Sequence, residues 1–281
     1  MTNKRRRAGA GADGRIEAKG NTAGGRKTSA AFDLVVMAKA PIAGLAKTRL
    51  IPLLGPAGAA RAQRGFALRT LATAQAARPG SLTLSCAPDQ HQRFFQALRR
   101  SVRWKGLRFT NQAQGDIGQR MAAVFAEHGA HAALQLLADR PSQRPTAFAL
   151  EHGQPAGSPV HRAQPSPQRL APKPLLLIGT DCPVLTSGYL HAAASALQQG
   201  ADVVFGPVED GGYMLIGLRE PSAAAHLGLF ERIDWSTERV MAQSRARLRA
   251  AQASWHELPL LWDVDEPADW LRWQQMQEAT R

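Results

Sequence analysis

The sequence predicts an α/β domain, a mostly parallel sheet with helices packed on both faces, and three observations carry that expectation. Short apolar runs at 34–38 and 175–178 stop abruptly in loops containing Gly and Pro, as fully buried strands do. Segments of helical periodicity, about 10–20 residues long, separate such runs, which is the pattern of strands joined by helical crossovers. The chain has 281 residues and is 44% hydrophobic, enough to bury a substantial core in one large domain.

Taken in chain order, residues 34–38 read as the first strand. A helix over about 56–77 places Leu68, Leu71 and Ala72 at helical spacing. Residues 81–86 alternate as a strand, and Asp89 is positioned to cap a helix carrying Phe94, Phe95 and Leu98. A weak strand at 107–110 precedes a helix over 118–137 with Met121, Val124 and Phe125 on one face. After a Pro-rich stretch, 175–179 is a strand, and Thr186 or Ser187 starts a helix to about Gln199. Strands follow at 202–205 and 213–217, then a basic helix over 237–250, a strand at 254–258 and a last helix from about Pro267.

Lys and Arg number 35 against 22 Asp and Glu, a formal charge of +13 that raises the question of a nucleic-acid partner. The excess is concentrated. Residues 1–30 carry a net +6, including Arg5, Arg6 and Arg7; residues 139–174 carry +3 and hold eight of the 18 prolines, which leaves +4 for the remainder. Neither segment has the apolar side chains to offset its chain entropy. A disordered basic tail over 1–31 and a disordered Pro-rich insertion at about 139–174 are therefore expected, with one domain over 32–281. This distribution argues against nucleic acid as a partner. Cys86 and Cys182 make neither a metal-ligand cluster nor a disulfide framework. No apolar run approaches the ~18 residues of a membrane span, and no secretory signal is present, so a cytoplasmic protein without a membrane partner is expected. No pattern speaks to oligomeric state.

In sheets of this class the ligand crevice lies beyond the carboxyl ends of the strands. Unusual residues gather in the loops at those positions. After the first strand, the segment from Lys39 to Arg49 packs three cations and Gly44 into 11 residues. Main-chain N–H groups around Gly44 can cradle phosphate oxygens while Lys47 and Arg49 neutralise them. The loop fits neither the dinucleotide-binding nor the P-loop pattern. Gln114-Gly115-Asp116-Ile117-Gly118 opens a helix, where Asp116 suits an N-cap or the glycines admit a flat base or sugar. Asp181 ends an apolar strand, where a carboxylate either holds a divalent cation bridging phosphates or caps a turn. Its neighbour Cys182 reads as packing rather than nucleophile. Glu209-Asp210-Gly211-Gly212 is a hairpin turn or a source of general base. Ser236 suits a helix cap. Asp263 and Asp265 fall on one side of an extended segment, as a metal clamp needs, and Asp265 also suits the N-cap of the last helix.

Read together, Met37-Ala38-Lys39-Ala40-Pro41, Gly44-Leu45-Ala46-Lys47-Thr48-Arg49-Leu50, Gln114-Gly115-Asp116-Ile117-Gly118-Gln119-Arg120-Met121, Ile178-Gly179-Thr180-Asp181-Cys182-Pro183, Glu209-Asp210-Gly211-Gly212-Tyr213, Trp235-Ser236-Thr237 and Asp263-Val264-Asp265-Glu266-Pro267 resemble a known set. It is the bacterial GT-A-fold transferases of the arsenosugar-biosynthesis and radical-SAM/selenodomain-associated group, similar in fold to the phospholactate and molybdenum-cofactor guanylyltransferases. The likeness runs from about Phe32 to Trp273, omitting 139–174. It implies a single GT-A domain in which Lys39, Lys47 and Arg49 line a nucleotide-phosphate site. Asp181 would be the first metal carboxylate and Asp265 or Asp263 the second, for Mg2+ or Mn2+. Gly44, Thr48, Gln114, Gly115, Asp116 and Gly118 are the further candidates for nucleotide contacts. The basic tail and an insertion of about 30 residues depart from the group's pattern.

The expected function is metal-dependent glycosyl transfer from a nucleotide-activated donor to a small-molecule acceptor. Lys47 and Arg49 would stabilise the departing group, with Asp210 or Glu209 as acceptor base. Nucleotidyl transfer, releasing pyrophosphate from a nucleoside triphosphate, needs the same cations and carboxylates and is the alternative. A non-enzymatic nucleic-acid-binding module using the tail and the Arg-rich helix at 239–249 is the second alternative, and an inactive GT-A scaffold the third.

Overall fold

The computed structural model describes residues 32–138 and 173–279. The expected basic tail, and all but the last two residues of the expected Pro-rich insertion, lie outside them. Seven strands form one sheet: β1 (Asp33–Lys39), β2 (Leu82–Ala87), β3 (Arg108–Asn111), β4 (Leu175–Ile178), β5 (Val203–Pro207), β6 (Tyr213–Leu218) and β7 (Trp255–Glu257). Their order is β3-β2-β1-β4-β6-β5-β7. Only β6 runs against its neighbours β4 and β5 among these strands, so the sheet is mostly parallel, as expected.

The helices of the described residues are α1 (Ile51–Ala76), α2 (Arg93–Arg100), α3 (Ile117–Ala138), α4 (Ser187–Gln198), α5 (Val240–Ala250) and α6 (Pro267–Ala279). None is long and apolar enough to cross a membrane. Successive side chains of a strand point to opposite faces, so β1 feeds two cores. Leu34, Val36 and Ala38 join Leu71 of α1, Phe95 of α2 and Leu190 and Leu197 of α4. Val35 and Met37 join Met121 and Phe125 of α3 and Met241 and Leu248 of α5. A third, smaller cluster of Leu50, Phe66, Trp262, Val264 and Trp273 packs the start of α1 against α6 and the segment before it.

Three boundaries differ from expectation for local reasons. The chain is already helical at Ile51, but Gly55 departs from helical geometry (φ 68°, ψ 165°), so regular α1 begins at Pro56, where a missing N–H costs nothing. Asp89 does not cap α2. Its carboxylate accepts from the His91 N–H at 2.7 Å and the Gln92 amide at 2.9 Å, holding the turn ahead of the helix instead. Of the two candidates for α4, Thr186 is the cap, accepting the Tyr189 N–H at 3.2 Å.

The first three strands step outward to one edge, and the chain then returns across β1 to lay down β4 on its other side. The carboxyl ends of β1 and β4 flank that reversal, the position where such sheets open a crevice.

The central strands leave no spare volume. A Cβ at Gly217 of β6 would lie 2.4 Å from Leu176 Cδ2 and 2.8 Å from Val204 Cγ1. Gly217→Val is therefore expected to destabilise the fold by about 1–3 kcal/mol, visible as a lower urea midpoint with an unchanged slope.

Candidate functional site

β1 ends at Lys39, and the following loop turns at Gly44 (φ 81°) and again at Lys47. Lys47 has φ 48°, an uncommon left-handed conformation for a residue with a side chain. Its side chain is 6% exposed, and Nζ lies 2.5 Å from Asp181 Oδ1 and 2.8 Å from Asp265 Oδ1. The third N–H donates to the Val264 carbonyl at 2.7 Å, so all three donors of the ammonium are used. The Val264 N–H in turn donates to the Asp181 carbonyl at 2.8 Å, tying the two acidic loops together. Burial by itself would lower the Lys47 pKa. The charges of Asp181 and Asp265 outweigh it, and the net shift is upward.

Arg49 approaches the same group from the exposed side, with Nη1 4.0 Å from Asp265 Oδ2 and Nε 3.4 Å from Glu266. Asp265 does not cap α6. Asp269, within the first turn, accepts the N–H groups of Asp265 at 3.1 Å and Glu266 at 2.8 Å, which leaves the Asp265 carboxylate to Lys47. Asp263 is half-buried, and burial together with the charges of Asp265 and Asp210 pushes its carboxyl up to about 7. Cys182 is buried, its thiol pushed up to about 12 by that burial, in keeping with a packing role.

These groups line a cleft of about 940 Å³. Of the sequence-predicted residues, Lys39, Lys47, Thr48, Arg49, Asp181, Asp210, Asp263 and Asp265 line it. Gly44, Gln114, Gly115, Asp116, Gly118 and Glu209 do not, and most have structural work elsewhere. Asp116 and Gln119 form a reciprocal capping box, with N–H···O distances of 2.8 and 2.9 Å. Gln114 is exposed ahead of that cap. Gly115 leaves the Gln119 side chain its place, since a Cβ there would lie 2.0 Å from Gln119 Oε1. Gly118 packs against Trp235, whose Nε1 a Cβ would meet at 2.2 Å. Ile117 and Arg120 reach the cleft from this segment instead.

Glu209 turns to α6 and pairs with both terminal nitrogens of Arg272 at 2.7 and 3.2 Å, which holds its carboxyl below the usual range. Glu209 is thereby engaged with α6 outside the cleft, whereas Asp210 lines it. Asp210 also holds the hairpin turn, accepting the Gly212 N–H at 2.8 Å. Ser236 sits at φ 62° and caps nothing. Its neighbour Thr237 accepts the Arg239 N–H at 3.3 Å, and α5 begins only at Val240.

Gln63 escaped the sequence reading. It is 3% exposed on α1, and its amide donates to the Lys39 carbonyl at 3.3 Å and to the hydroxyl of the equally buried Thr180 at 3.1 Å. It thus ties the end of β1 to the end of β4 beneath the cleft. The available signal was an amide on a helix face otherwise made of Ala59, Ala62 and Phe66.

Carboxylate oxygens converging on one point are a suitable donor set for a hard divalent ion. Among the described residues, however, no group of three or more His, Cys, Asp or Glu stands ready to hold a metal. The cation lying between Asp181 and Asp265 is the Lys47 ammonium. The side chains fit Mg2+ or Mn2+ on condition that the ammonium yields its place.

Residues 70–237 match the family described as uncharacterized protein conserved in bacteria (DUF2064), and the chain belongs to that family. The matched region contains Asp181 and Asp210 but neither Lys47 nor Asp265. Curated proteins offer no significant match. Among solved structures, a protein provisionally described as a nucleotide-diphospho-sugar transferase from Desulfovibrio desulfuricans superposes with a TM-score of 0.58 at 24% identity, covering 84% of this chain and 83% of that one. That likeness establishes the GT-A-like fold. The 4-diphosphocytidyl-2C-methyl-D-erythritol synthase of Anaerococcus prevotii superposes at 0.49 with 8% identity, covering 88% and 96%.

Replacing Gln63 with Leu keeps the volume but orphans the Lys39 carbonyl and the Thr180 hydroxyl. The expected cost is about 1–3 kcal/mol of stability, read from chemical denaturation of the two proteins side by side.

Proposed function

We propose that this member of the DUF2064 family is a metal-dependent transferase that uses a nucleotide-activated sugar as donor and passes the glycosyl group to a small hydroxyl-bearing acceptor. The observation that carries the reading is the convergence of Lys47 on Asp181 and Asp265, with Lys39 and Arg49 lining the same cleft. A diphosphate calls for the three cations. The carboxylates would repel it unless a divalent ion lay between them. The mixed set therefore suits a cation-bound diphosphate better than it suits either partner alone. Asp181 and Asp265, with Asp263 adjacent, would hold Mg2+ or Mn2+. When bound, such an ion neutralises negative charge on the departing diphosphate.

Each side chain then has a definable task. Lys39 and Arg49 bind and orient the phosphates. Lys47 and Arg49 stabilise the charge that grows on the leaving oxygen as its bond to the anomeric carbon breaks. Asp210 accepts the proton of the attacking hydroxyl. Glycosyl transfer is favoured over nucleotidyl transfer by the rest of the cleft lining, where Tyr213 and Trp235 accompany Asp210 and Glu238. Carboxylates bind sugar hydroxyls, and aromatic rings cover the C–H face of a pyranose.

The nucleic-acid alternative is disfavoured by the commitments of the arginines on and just before α5. Arg245 is paired with Glu257 at 2.8 and 2.7 Å, Arg239 with Asp234 at 3.0 Å, and Arg249 stacks on Trp255 at 5.7 Å.

Incubation of the full chain with Mg2+ and a panel of nucleotide sugars and nucleoside triphosphates should release nucleoside diphosphate. Release of pyrophosphate would move the reading to nucleotidyl transfer. Asp181→Asn is expected to lower kcat by about 100-fold or more with an unchanged circular-dichroism spectrum, and full turnover in that variant would overturn the assignment.

A further inference from the structure

Lys47 stands in an unusual relation to the carboxylates beside it. Its nitrogen takes the Oδ1 atom of both Asp181 and Asp265, and its third donor is held by a backbone carbonyl. The two aspartates are 44% and 40% exposed, whereas Lys47 is 6% exposed. The remaining oxygen of Asp265 already faces Arg49 at 4.0 Å. A divalent ion that used the converging Oδ1 pair would therefore coincide with the ammonium. Placed beside it, the ion would meet a like charge at close range.

An ammonium displaced into the cleft gives up both carboxylate partners, and a nucleoside diphosphate entering with the ion brings oxygens of its own. Those phosphate oxygens also give a displaced ammonium new acceptors, and the four-carbon stem of lysine lets the nitrogen move without the backbone.

We infer that Lys47 is the resident counter-ion of the Asp181–Asp265 pair and must leave it before a divalent cation enters, so that the cation is captured together with the anionic donor and not ahead of it. This deepens the transferase reading and rests on it for the donor, but the exchange itself concerns only three side chains and can be tested without nucleotide.

The direct test titrates Mn2+ alone into the full-length protein and into Lys47→Met, following free Mn2+ by electron paramagnetic resonance. The variant should bind at least about tenfold more tightly, a difference of about 1.4 kcal/mol, and adding Asp181→Asn to it should remove the gain. Equal or weaker binding by folded Lys47→Met overturns the inference. A measurement on the unaltered protein guards against a variant that fails to fold. Reductive methylation of Lys47, read by peptide mass spectrometry, should be slow without metal and faster at saturating Mn2+. A rate unaffected by bound Mn2+ would show that ion and ammonium coexist and would equally overturn it. If Mn2+ binding behaves as expected while no nucleotide binds, the donor reading fails and the exchange stands; turnover with no gain in Lys47→Met gives the converse.

Discussion

One nearly buried ammonium holds together three segments far apart in the chain. Lys47 follows β1, Asp181 follows β4 and Asp265 precedes α6, and they meet because the nitrogen of one satisfies an oxygen of each of the others. Without it, two carboxylates would face each other at the rim of an apolar core, an arrangement that favours separation or protonation. Without them, a lysine would be desolvated with no counter-charge. The aspartates remain substantially exposed, so this is a weaker brace than a fully buried ion pair and an exchangeable one. The phenyl ring of Phe66, 5.8 Å from the nitrogen, belongs to the cluster that packs α1 against α6, so the brace rests on packed hydrocarbon rather than on loop alone.

The architecture was legible because it is written in periodicity. The apolar runs of β1 and β4 and the i, i+3, i+4 spacing of Leu68, Leu71 and Ala72 are local patterns, and each emerged where expected. Boundaries failed where a side chain had two local hydrogen-bonding options. Asp89 bonds within its own turn, and Thr237 takes the amide expected of Ser236. Such choices depend on backbone geometry that a neighbouring element imposes, which no short window contains.

Site residues divided along a similar line. The charged groups after β1 and β4 were identifiable because topology dictates where a crevice forms, and charge there has few structural uses. The segment from Gln114 to Gly118 stayed open in the sequence because a capping box and a nucleotide loop draw on the same residue types; the structure bears out the Asp116 cap, with Gln119 and Trp235 closely approaching the two glycines. Glu209 and Asp210, adjacent in sequence, point to different partners, since Arg272 lies across from the first. Gln63 was invisible for the opposite reason. Its importance comes from two partners, 24 and 117 residues away, and not from its surroundings in the chain.

The far wall of the cleft is built differently from the near one. There the hairpin turn carrying Asp210 is pressed against the entry to α5. Gly211 approaches the Glu238 carbonyl so closely that a Cβ would lie 2.3 Å from it, and the Gly211 carbonyl accepts the Met241 N–H at 2.9 Å. Trp235, just upstream, is held between Phe230 and Tyr213 with ring centroids 6.4 Å from each. Asp210, Trp235 and Glu238 consequently belong to one packed unit stabilised by steric fit and backbone hydrogen bonds. The near wall is stabilised by charge, which can be redistributed when a charged ligand arrives. Under the proposed transferase reading, such a site would keep the acceptor side preorganised, where orientation limits a reaction, and would reserve adjustment for the side that takes up and releases the anionic donor.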